Sequence, residues 1–170
     1  EPITNFDVIA FTLQYELSYT NILNMLDLAN VPILRTERKL DDPFILVGGP
    51  CAYNVEPMAD FVDIVVLGEG EEVNLEILNA YKECKKNKTT REDFLYQISS
   101  IEGVYIPSFY DVTYNEDNTV KEVVPNRENI PSKPHKRIIK DVENVPYPEK
   151  LIVPFIDTVH KSRRPSGLRK

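Results

Sequence analysis

Apolar residues in the first hundred positions come in short runs separated by glycine turns and amphipathic stretches. Residues 7–13 (DVIAFTL) are rich in β-branched and aromatic types, as suits a strand buried on both faces. Behind them Tyr19, Ile22, Leu23, Leu26 and Ala29 recur at helical spacing, with Ser18 as the expected N-cap and Asn30 before Pro32 as the expected stop. The pattern then repeats. Residues 44–47 form a second run ending in Gly48-Gly49-Pro50, after which Asn54 is expected to cap a short helix containing Met58 and Phe61. A third run, residues 62–67, ends in Gly68-Glu69-Gly70-Glu71-Glu72 and leads into a helix with Ile77, Tyr81 and Cys84 on one face. Three strand, turn and helix units in succession predict adjacent parallel strands in one sheet, with helices on its faces and right-handed crossovers.

Beyond the third unit the period changes. Thr89 and Glu92 have capping-box spacing ahead of Phe94, Leu95 and Ile98, which predicts one more helix. Residues 104–106, together with 110–114 and 119–124 joined through Asn115 to Asn118, read as a small antiparallel appendage with a hairpin. Six of the thirteen prolines fall within residues 125–154, mixed with Lys133, Lys136, Arg137 and Lys140. Proline removes backbone donors and fixes φ, so this stretch is expected to be an extended connector. The predicted organisation is an α/β unit over residues 1–100, the β appendage over 101–124, and a connector with a basic tail over 125–170.

Charge narrows the classes of function. With 27 acidic and 20 basic side chains the formal net charge is −7, which opposes broad nucleic-acid binding. The basic residues that do cluster, Lys161, Arg163, Arg164, Arg169 and Lys170, follow His160 in an acid-free tail, read as a solvated segment. Two cysteines in different elements indicate neither a disulfide framework nor a metal knuckle and fit a reducing cytoplasm. No apolar stretch reaches membrane-spanning length, and the start lacks the pattern of a signal peptide. The opening Glu1 gives the impression of a piece cut from a longer polypeptide.

The glycine turns are the informative chemistry, because they follow the carboxyl ends of predicted parallel strands, where open α/β sheets bind ligands. Glycine lets a ligand approach the backbone and leaves amides free to donate. Neither turn matches a P-loop or the dinucleotide fingerprint. Glu69, Glu71 and Glu72 suit acid/base work, or hard-metal binding with Asp60 and Asp63, but acidic residues opening a helix already offset its dipole. Cys51 at the mouth of the cleft is either a thiol with a lowered pKa beside free amides or a small buried side chain, whereas Cys84 reads as core. His135 and His160 have no metal-ligand pattern around them. No catalytic constellation stands out, and a Cys51 nucleophile lacks a visible base.

The phrases DVIAFTLQYELSYT (residues 7–20), LVGGPC (46–51) and VLGEGEE (66–72) resemble the second half of the cobalamin-binding domain of radical S-adenosylmethionine proteins. The resemblance runs from about Phe6 to about His160 and extends to a subfamily carrying the phrase GGPCAxNxEPxADFxD. It implies a partial flavodoxin-like, Rossmann-like α/β domain with cobalamin at the carboxyl edge of the sheet and its nucleotide tail threaded into the fold. By position in the motif, Thr12 would contact the tail, and Gly48, Gly49, Gly68 and Gly70 would line its pocket.

Relative to that family, two upstream strands and the loop carrying a cobalt-ligating Asp-x-His-x-x-Gly are not in this chain. Nor is the Cys-x-x-x-Cys-x-x-Cys loop that holds a four-iron cluster in the barrel following the phrase VPFIDTVH (153–160). The resemblance therefore implies an accessory domain whose partner is its own downstream radical barrel, with the cluster and S-adenosylmethionine confined to that barrel. The isolated chain is expected to bind neither of these, and cobalamin weakly or not at all. A degenerate, ligand-free scaffold or interaction module is the alternative from another class.

Overall fold

Ile45 and Val47 are fully buried, as are Ile64 and Val65, and these pairs sit in the two central strands of a four-stranded sheet. In the computed structural model, residues 1–145 are described; the later connector, His160 and the basic tail lie outside the described residues. Strands β1 (Val8–Thr12), β2 (Phe44–Gly48) and β3 (Ile64–Val66) are adjacent and parallel, with Val8 opposite Phe44, Thr12 opposite Gly48 and Leu46 opposite Ile64. The adjacency and direction predicted from the apolar runs hold. Burial on both faces of β2 and β3 explains why these runs are continuous rather than alternating. Among the described residues β1 pairs only with β2, so it forms one edge, and its Ala10 and Thr12 are exposed; the expectation of a strand buried on both faces therefore fails for residues 8–12.

Helix α1 (Tyr19–Leu28) buries Ile22 and Leu26. Helix α2 (Gly70–Asn87) buries Val73, Ile77 and Cys84, and α3 (Arg91–Ile98) buries Phe94, Leu95 and Ile98. Phe44, Tyr81 and Phe94 meet edge to face, with the Phe44 and Phe94 ring centres 4.8 Å apart, and so join β2, α2 and α3. No helix among the described residues is long and apolar enough to cross a membrane.

Four local expectations need correction. Ser18 does not cap α1: its hydroxyl donates to the Tyr15 carbonyl at 2.7 Å within a 3-10 turn, Glu16–Ser18, that runs directly into the helix. Asn54 caps no helix: Pro50–Asn54 and Glu56–Met58 are 3-10 turns, and Pro57, three residues on, lacks the N–H from which a capping Asn54 side chain would accept. The capping box of α3 lies one residue later than expected, pairing Thr90 with Asp93, while Thr89 donates to the Cys84 carbonyl behind the left-handed cap Lys88 of α2. Strand β4 (Val104–Tyr105) belongs to the main sheet, antiparallel to β3, rather than to the appendage, since both of its side chains are buried against the core. The hairpin β5 (Tyr110–Tyr114) and β6 (Val120–Pro125) forms as expected.

At the amino ends of β2 and β3, Asp63 ties the layers together. Its Oδ2 accepts from Arg38 Nη1 at 2.9 Å and from the Ile45 amide at 2.8 Å, and its Oδ1 lies 3.4 Å from Arg91 Nη2. Arg38 also donates to the Pro32, Ile33 and Phe61 carbonyls, so its whole guanidinium is engaged in the interior.

Candidate functional site at the carboxyl edge of the sheet

Thr12 ends β1, Gly48 ends β2 and Gly68 follows β3, so the parallel register brings the three turns to one edge. A cavity of about 390 Å³ opens there, and Thr12, Gly48, Gly49, Gly68 and Gly70 all line it. The five residues singled out from the sequence are thus brought together. The remaining wall is Val8, Ala10, Phe11, Leu46 and Val66 from the sheet and Asn74, Ile77 and Leu78 from α2. The sequence reading missed Val8 and Ala10, and the signal that could have found them is that they share a strand face with Thr12 at period two. Asn74, one helical turn beyond Gly70, was the further signal. Neither the Thr12 hydroxyl nor the Asn74 amide has a hydrogen-bond partner among the described residues, which leaves two polar groups available to a ligand.

The glycines serve different ends. Gly49 has φ 96° and ψ −176°, and a Cβ there would lie 2.9 Å from Thr12 Cγ2 and 3.0 Å from the Leu13 carbonyl oxygen. Its bare side faces the end of β1 rather than open space. Gly68 has φ 98°, and a Cβ would come within 2.2 Å of the Arg137 carbonyl oxygen. The connector crosses here: the Arg137 amide donates to the Leu67 carbonyl at 2.8 Å, and the Glu69 amide donates back to the Arg137 carbonyl at 3.2 Å. Amides expected to be free are therefore partly used, since the Cys51 amide likewise donates to the Leu13 carbonyl at 3.0 Å.

The acidic residues of the third turn hold this connector. Arg137 Nη2 reaches Glu72 Oε2 and Glu76 Oε1, each at 2.7 Å, and the Glu72 hydrogen bond raises the Arg137 pKa. Glu69 accepts from the Ile139 amide. Glu71 and Glu72 also occupy the first turn of α2, where carboxylates offset the helix dipole. Asp63 is committed to its arginines, and among the described residues no three His, Cys, Asp or Glu side chains gather where a metal could be held. His135 is exposed on the connector.

Cys51 is half-buried, and its pKa is raised by that burial and then by Glu16, opposite to the reading of a lowered pKa. Desolvation and a nearby carboxylate both disfavour a thiolate. Alkylation of Cys51 by iodoacetamide is accordingly expected to be slower at pH 7.5 than that of glutathione, with a rate still climbing above pH 9. Rapid labelling at pH 6, absent in Cys51→Ser, would show an activated thiol instead. Cys84 is buried, with its Sγ 3.1 Å from Gln97 Oε1.

Residues 1–107 match the family model for radical SAM proteins, N-terminal, where SAM stands for S-adenosylmethionine. An uncharacterized protein of Methanocaldococcus jannaschii is 36% identical in an alignment that takes in 63% of this chain and 27% of that protein. The chain therefore spans about a quarter of the length of the curated relative it matches. No solved structure matches it.

Proposed function

This chain belongs to the family of radical SAM N-terminal domains, and from that premise we propose that it is the accessory α/β domain of a radical SAM enzyme. Its carboxyl-edge cleft contributes part of a seat for the nucleotide tail of a cobalamin-type cofactor. The four-iron cluster and S-adenosylmethionine are held by a barrel elsewhere in the parent polypeptide. The observation that supports this reading is the convergence of Thr12, Gly48, Gly49, Gly68 and Gly70, from three separate turns, on one cavity.

The residues present fit such a group in part. About 390 Å³ is in the range of a small-ligand pocket and suits a nucleotide-sized tail, while a corrin ring would have to lie outside it. Gly48 tolerates close approach, and the Thr12 hydroxyl and Asn74 amide offer donors. When bound, such a cofactor supplies alkyl or electron transfer at its metal; this chain would bind and orient the tail and exclude water from it.

One observation favours the rival scaffold reading. The bare side of Gly68 is filled by Arg137, so the chain's own backbone accounts for that glycine.

Calorimetric titration of hydroxocobalamin into this chain is expected to give no binding in the low micromolar range, because the cleft covers only the tail. A longer parent polypeptide is expected to bind, and Ala10→Trp, which fills the cleft from an exposed strand position, to abolish that binding. A parent that fails to bind, or binding indifferent to Ala10→Trp, would leave the scaffold reading. Gly49→Val is the wrong probe, since its side chain would strike Thr12 and Leu13 whether or not a ligand binds.

A further inference from the structure

Four of the five arginines in the described residues, Arg35, Arg38, Arg91 and Arg127, line a single cavity of about 260 Å³, although the chain as a whole is acidic. The cavity lies at the amino ends of β2 and β3, beside Asp63, at the opposite end of the sheet from the glycine cleft. The carboxylates in its wall are Asp63 and Glu92, so the lining carries two positive charges in excess. Asp63 is already spent on Arg38, Arg91 and the Ile45 amide. Glu92 pairs with Arg127 at the exposed rim. Arg35 holds the Ala59 carbonyl through Nε at 3.0 Å, and its two Nη groups have neither a hydrogen-bond partner nor a carboxylate among the described residues. The Ser108 hydroxyl in the same wall likewise donates to no acceptor among them.

We propose that this arginine cavity is a binding site for the phosphate group of a small molecule. Guanidinium groups present planar, paired donors that match phosphate oxygens, and no lysine lines the cavity. A phosphate monoester carries between one and a half and two negative charges at neutral pH, roughly the excess in the lining. Arg38 and Arg91 are held rigidly by Asp63 and by backbone carbonyls, and Arg91 also stacks 3.7 Å from the Phe44 ring centre. Arg35, Arg127 and Ser108 then make the direct contacts, and Glu92 competes with the ligand for Arg127.

The test follows arginine Nε–Hε resonances while inorganic phosphate or pyrophosphate is titrated at constant ionic strength, with acetate as the control anion. Saturable shifts at Arg35 and Arg127 are expected with the phosphates and not with acetate. Arg35→Gln should weaken the binding by about tenfold or more, the loss of a charge-assisted hydrogen bond. Glu92→Gln should tighten it, and Arg137→Gln, the one arginine of the described residues outside this cavity, should leave it unchanged. If Arg35→Gln fails to fold, Arg127→Gln at the rim decides the matter in the same way. Shifts that do not saturate, equal shifts with acetate, or binding that is the same in Arg35→Gln or Arg127→Gln and unaffected by Glu92→Gln would overturn the proposal.

Discussion

Asp63→Ala is expected to lower folding stability by about 3–5 kcal/mol, the range for breaking a buried ion pair by removing one partner. The side chains of Arg38 and Asp63 are almost wholly inaccessible, at 0% and 5% exposure, so the arginine left behind could not recover water. Arg91 would also lose its carboxylate, and the Ile45 amide its acceptor in the middle of the sheet. Since whole domains are stable by only about 5–15 kcal/mol, the loss should appear as a large fall in the urea midpoint. Replacing both partners, Asp63→Leu with Arg38→Met, should be milder than Asp63→Ala, because apolar groups of similar volume leave no buried charge. A midpoint for Asp63→Ala that matches the parent's within error would mean the network contributes nothing.

Gly49→Ala should lose about 2–6 kcal/mol and Gly48→Ala almost nothing, although the two glycines are neighbours. The φ of 96° and ψ of −176° at Gly49 fall in a region used essentially by glycine alone, with a strain of about 1–3 kcal/mol for other residues. The new methyl group would add overpacking of about 1–3 kcal/mol, because one of its neighbours, the Leu13 carbonyl at 3.0 Å, is backbone that cannot swing aside. At Gly48 the same methyl would meet the Val66 carbonyl oxygen at 3.6 Å, an ordinary contact, and alanine is the better strand residue. Thermal unfolding of the two variants separates these cases. Equal midpoints would mean that the Gly49 backbone relaxes freely.

The parallel sheet was legible because its central strands β2 and β3 are buried on both faces, which leaves uninterrupted apolar runs at residues 44–47 and 62–67, and because the edge strand β1 still carries an apolar run at residues 7–13. The cleft was legible for a related reason: parallel register places the end of each run at the same edge, so turns far apart in sequence meet. What escaped depended on contacts that carry no local period. Val104 and Tyr105 form a strand of two residues, too short for any alternation, and only their proximity to β3 assigns them to the main sheet. The shift of the capping box from Thr89 to Thr90 follows from Lys88, which turns left-handed at φ 55° and moves the start of α3 by one position. Arg35, Arg38, Arg91 and Arg127 are scattered among loops, a helix start and the segment after β6, so their convergence has no sequence signature. Nor does anything near Arg137 show that its backbone will lie against Gly68.

That last contact has a kinetic meaning. The hairpin of β5 and β6 joins residues close in sequence, and each parallel pair closes a longer loop, but Gly68 and Arg137 are separated by more chain than any strand partners in the sheet. Because loop closure is entropically costlier the longer the loop, and non-local contacts set the pace of folding, the bridge to Arg137 is placed to form late. On a nascent chain emerging from its amino end, β1, β2, β3 and α2 are made before residue 137 exists. The glycine-lined cleft therefore passes through an interval in which the sheet is assembled and its carboxyl edge is still uncovered.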